Sequence, residues 1–140
     1  MERLALDREL RQAVDGGEFE LHYQPLLAID HGRLAGVECL IRWRHPTRGL
    51  LAPASFVPLA EETGLICEIG RQVLAGSCRQ LAQWVAHQPT LRLSVNLSVV
   101  QLKADDGLVR FIAETMRGLG LDSRHLELEV TESLFLDPGL

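Results

Sequence analysis

The sequence predicts an α/β fold whose sheet is at least partly parallel. Short runs with alternating apolar and polar residues are separated by stretches in which apolar residues recur every three or four positions, and Gly or Pro stands at most boundaries. After an opening hairpin the helices and strands alternate, so right-handed crossovers are expected. At 140 residues, with 46% hydrophobic and 24% charged residues and a mean hydropathy of +0.06, the chain can bury a core as one domain or as part of a larger one.

The first helix is written by Leu6, Leu10, Ala13 and Val14 and stopped by Asp15-Gly16-Gly17. Residues 1–17 are read as a linker helix. Phe19, Leu21 and Tyr23 then alternate with Glu20, His22 and Gln24, and the strand continues through Pro25 to the turn Asp30-His31-Gly32-Arg33. Pro25 lacks an amide donor, which suits an edge or bulged position. The second strand places Val37, Cys39, Ile41 and Trp43 on one face and Glu38, Leu40 and Arg42 on the other.

Residues 44–53 read as a loop by their Pro and Gly content. A short helix carrying Phe56, Leu59 and Ala60 ends at Thr63-Gly64, and a longer one runs over residues 65–86 on the stripe Ile66, Ile69, Val73, Leu74, Cys78, Leu81 and Val85. Leu91, Leu93, Val95 and Leu97 alternate with Arg92, Ser94, Asn96 and Ser98 in a third strand. Asp105-Asp106 is the expected N-cap of a helix carrying Leu108, Ile112, Met116 and Leu119. The fourth strand, residues 126–131, puts Leu126, Leu128 and Val130 on one face and Glu127, Glu129 and Thr131 on the other.

Several functional classes are disfavoured. A net charge of −5 and a pI near 5.5 argue against DNA as a partner, since duplex binding needs a clustered basic surface. No apolar run approaches the roughly 18 residues of a spanning helix, and residues 1–7 lack the apolar stretch of a signal peptide, so a cytoplasmic location is expected. Cys39, Cys67 and Cys78 form no CxxC pair, and the five histidines form no zinc pattern.

In α/β sheets ligands gather at the carboxyl ends of strands. Glu38, Asn96 and Glu129 lie on the polar faces of three strands, an oxygen set suited to Mg²⁺, Mn²⁺ or Ca²⁺. Each alone also fits an ordinary strand-end hydrogen bonder. Arg42, on the face of Glu38, suits a phosphate ester.

The chain resembles the EAL domain of cyclic-di-GMP phosphodiesterases. The matching segments are Tyr23-Gln24-Pro25, Glu38-Cys39-Leu40 with Ile41-Arg42-Trp43, Pro53-Ala54-Ser55-Phe56-Val57-Pro58-Leu59-Ala60-Glu61, Val95-Asn96-Leu97-Ser98 and Leu128-Glu129-Val130-Thr131-Glu132-Ser133, in family order over residues 18–140. The resemblance implies a TIM-like barrel with an antiparallel first strand, here about half of it: four strands and their helices, the N-terminal half of the domain. It implies Glu38, Asn96 and Glu129 as metal ligands for Mg²⁺ or Mn²⁺, Gln24, Leu40 and Arg42 as substrate-binding, and Glu132 as bracing an active-site loop. The implied partner is cyclic-di-GMP, with a sensory or cyclase domain upstream in the parent protein and a homodimer or self-association through exposed sheet edges.

Two departures from the family pattern stand out. The signature alanine is Cys39, which parity turns to the apolar face. The second is that the family's downstream aspartate pair, lysine, glutamate and glutamine have no counterpart in the 140 residues, and a closed barrel takes about 250. The parent domain is therefore expected to hydrolyse cyclic-di-GMP to its linear form, this fragment alone to be inactive, and a degenerate module that binds the nucleotide or a protein partner without turnover is the alternative.

Overall fold

A computed structural model describes residues 2–130. Helix α1 (Glu2–Gly16) leads into the hairpin of β1 (Phe19–Leu27) and β2 (Leu34–His45), followed by β3 (Gly49–Leu51). Helices α2 (Val57–Thr63) and α3 (Leu65–Val85) precede β4 (Arg92–Leu97). After α4 (Val99–Ala104) and α5 (Leu108–Gly118) the chain enters β5 (Leu126–Val130). The sheet runs β1-β2-β4-β5, with β3 pairing β2; β1 is antiparallel to β2, whereas β2, β4 and β5 are mutually parallel.

Alternation along β2 decides which face meets the helices. Val37, Cys39 and Trp43 are buried, while Glu38, Leu40 and Arg42 are half-buried on the opposite face. Cys39, Leu93 and Val95 pack with Leu74, Cys78 and Leu81 of α3 and Met116 of α5. A second cluster joins Trp43 to Phe56, Ile66 and Ile69 and to Leu10 and Ala13 of α1. Within it the Trp43 and Phe56 rings meet edge to face at 5.6 Å, and Trp43 Nε1 donates to Glu18 Oε1 at 3.0 Å.

The helix read as a linker is thus part of the packed body. Leu10 and Ala13 are completely buried, and Gln72 Nε2 donates to the Val14 carbonyl at 2.9 Å. The opening hairpin forms as expected: β1 is an outer strand, and its register shifts between Leu26 and Leu27, just beyond Pro25.

Three local expectations need correction. Residues 44–53 are not all loop: β2 continues to His45 and folds back as β3, so the described sheet has five strands rather than four. His45 Nδ1 accepts from the backbone amides of Thr47 and Arg48, which fixes the turn, and Gly49 takes the positive φ of 81° there. A helix was also missed, because at six residues α4 is too short to write an apolar period; Ser98, which accepts from Val100 N, caps it. Asp105 does not cap α5, whose N-cap is Gly107, because Arg71 takes its carboxylate through two bonds at 2.6 and 2.8 Å. Glu132 lies outside the described residues, as does Thr131, the last residue of the expected fourth strand.

Candidate functional site

The polar face of the sheet is assembled by register. Gln24 stands opposite Glu38, Glu38 opposite Ser94, and Ser94 opposite Glu127, while Asn96 stands opposite Glu129. Asn96 reaches diagonally to Glu38, its Nδ2 donating to Oε2 at 3.3 Å. One level below, Ser94 Oγ donates to Glu127 Oε1 at 3.2 Å. Carboxylate, amide and carboxylate thus sit on three adjacent parallel strands, where the sequence placed them.

A cavity of about 340 Å³ opens beside this face. Glu38, Leu40, Arg42 and Asn96 line it together, with Val57, Ile66, Ile69 and Val73 forming an apolar wall. Gln24 and Glu129 flank the site on neighbouring strands but do not line the cavity. Arg42 gives one guanidinium donor to the carbonyl of Ile41 at 2.8 Å and meets no carboxylate among the described residues, which leaves the rest of its fork for an anion.

Sequence reasoning missed two polar residues of this region. Ser98 Oγ donates to Glu61 Oε2 at 2.5 Å, tying the end of β4 to α2. Gln101, on α4, is 2% exposed and lines the same cavity. The spacing Asn96-x-Ser98-x-x-Gln101 was the available signal, since it turns three polar side chains one way once Ser98 caps a helix.

Arg44 holds the Glu20 carboxyl down to about 2, and Arg124 does the same for Asp122. Burial pushes the Cys39 thiol up to about 12 and Cys78 to about 11, so both behave as packed apolar groups. Among the described residues no three His, Cys, Asp or Glu side chains cluster as a metal site. No helix among them is long and apolar enough to cross a membrane.

An antiparallel first strand followed by parallel strands, whose polar face carries Glu38, Asn96, Glu129 and Arg42, defines an α/β domain of mixed sheet topology. The EAL domain model matches residues 7–138, and the chain belongs to the EAL domain family. It is 44% identical over 133 residues to the bifunctional diguanylate cyclase/cyclic di-GMP phosphodiesterase MucR of Pseudomonas aeruginosa, covering 94% of this chain and 19% of that protein. It is 40% identical to the cyclic di-GMP phosphodiesterase NbdA of the same organism, covering 96% of this chain and 17% of NbdA. The solved MucR phosphodiesterase in complex with c-di-GMP superimposes with a TM-score of 0.85 at 41% identity, over 99% of this chain and 55% of that one. The chain therefore spans under a fifth of the curated relatives named here and about half of the solved structure.

Proposed function

We propose that this chain contributes the first half of a cyclic-di-GMP phosphodiesterase site acting in bacterial signalling in the cytoplasm. The observation that carries the reading is the diagonal contact between Asn96 and Glu38 on the sheet face that also bears Arg42 and Glu129. Two carboxylates and one amide fit a hard divalent cation by donor chemistry, and the Asn96–Glu38 contact already brings two of the three together. Glu38, Asn96 and Glu129 would hold Mg²⁺ or Mn²⁺. Such ions, when bound, stabilise the attacking and leaving oxygens of a phosphodiester displacement.

The chain's own residues do the rest of the work assigned to this half. Arg42 is suited to a bidentate phosphate contact, and its anchor on the Ile41 carbonyl limits how far the head can swing. Leu40 lines the groove between Glu38 and Arg42, and Gln24 flanks it from the antiparallel strand.

The test is chromatographic. The longest polypeptide its gene encodes should convert cyclic-di-GMP to the linear dinucleotide with Mg²⁺ or Mn²⁺, and Glu38→Gln should lose that product. Binding without product would leave the domain a nucleotide-binding module. We also propose self-association of the 140-residue chain through β5, where Leu128 and Val130 are 38% and 44% exposed. Light scattering over a concentration series checks this, and a monodisperse monomer would refute it.

A further inference from the structure

Gln101 is the one side chain among the described residues with a buried polar atom that meets no hydrogen-bond partner: its Nε2. The residue is 2% exposed, and its amide packs against Gly70 of α3. A methyl group at position 70 would stand 2.0 Å from that nitrogen, so the glycine is what lets the amide reach this place. An unpaired buried donor is costly, and native proteins resolve such groups with a partner, an ordered water or a functional role. Methionine or leucine would fill the same volume against Gly70 without that cost.

The surroundings say what the donor serves. Gln101 lines the same cavity as Glu38, Arg42, Asn96 and Ser98, and it follows Ser98 by one helical turn. Ser98 has its own partners, accepting from Val100 N and donating to Glu61. The apolar wall offers no acceptor to Nε2. At about 340 Å³ the cavity has room for several waters, each needing roughly 30 Å³ and two to four polar partners.

We propose that Gln101 is a positioning residue for the candidate site: its Nε2 anchors ordered water in this cavity, and that water links α4 to Asn96 and Arg42 from behind. The inference rests on the reading of this face as a cyclic-di-GMP site and adds a residue to it. It makes the buried amide a stability cost retained for the site, so its removal separates stability from binding.

The experiment compares wild type with Gln101→Met and Gln101→Glu in the longest polypeptide the gene encodes, by calorimetric titration with cyclic-di-GMP and Mg²⁺ and by thermal melting. Gln101→Met should melt no lower than wild type while its Kd for the nucleotide rises about tenfold, the change expected for one lost hydrogen bond. Gln101→Glu keeps the shape and loses the donor, and should weaken binding at least as much. Wild-type affinity in either folded variant would overturn the proposal, as would a loss of affinity in Gln101→Met matched by a fall in melting temperature. A wild type that does not bind the nucleotide would instead refute the functional reading.

Discussion

Asn96 and Glu38 are not register partners, yet Asn96 Nδ2 donates to Glu38 Oε2 at 3.3 Å because both side chains leave the same face of adjacent parallel strands. Ser94, the residue opposite Glu38, is drawn instead to Glu127. The amide thereby orients a carboxylate assigned to a cation. Asn96→Ala should leave the fold intact and weaken cation-dependent cyclic-di-GMP binding by about 10- to 100-fold, the usual loss when a group that orients or ligates a metal is removed. Titration calorimetry at fixed Mg²⁺ reads this; unchanged affinity would remove Asn96 from the site.

Arg42 carries a shape argument as well as a charge. Because its free guanidinium edge matches a phosphate with two parallel bonds, Arg42→Lys should retain only part of the affinity and Arg42→Ala should abolish it. Equal affinities for the lysine variant and wild type would mean that charge alone matters.

Helix α1 gives a prediction about stability. Leu10 is completely buried against the cluster of Trp43 and Phe56, so Leu10→Ala should cost about 2–5 kcal/mol, the range for truncating a packed leucine. Chemical denaturation measures it. A loss under about 1 kcal/mol would mean that α1 can leave the body without consequence.

The Arg71–Asp105 pair sets an acid limit. Arg71, bonded twice to Asp105, holds that carboxyl below its ordinary value. A depressed carboxyl stabilises the fold fully above the unfolded value of about 3.9, and that contribution fades as pH falls through the lower folded value. Asp105→Asn should therefore melt below wild type at pH 7, with the two curves converging below about pH 4. A constant gap across that range would assign the difference to something other than the charge.

Much of this was legible in the sequence, and the failures share one cause. Alternation along residues 37–43 gave the buried and the polar face of β2, because period-2 alternation needs no knowledge of neighbours. What it could not give was competition for the same group. Asp105 reads as a cap until Arg71, 34 residues away, claims the carboxylate. Residues 99–104 carry no assignment until Ser98 is seen to cap, and β3 is hidden by a turn that depends on the buried ring of His45. The amphipathic stripe of residues 6–14 was plain, but not that Trp43 and Phe56 would cover it. The spacing from Ser98 to Gln101 signals a polar turn, but only the absence of a side chain at Gly70 makes the burial of Gln101 intelligible.

The central claim is that Glu38, Asn96 and Glu129 form one cation site. Anomalous diffraction from crystals of the longest encoded polypeptide grown with Mn²⁺ and cyclic-di-GMP tests it most directly. The account predicts a manganese peak within about 2.5 Å of side-chain oxygens from all three residues, with a nucleotide phosphate beside Arg42. Manganese bound elsewhere with these three residues making no contact to it would contradict the account.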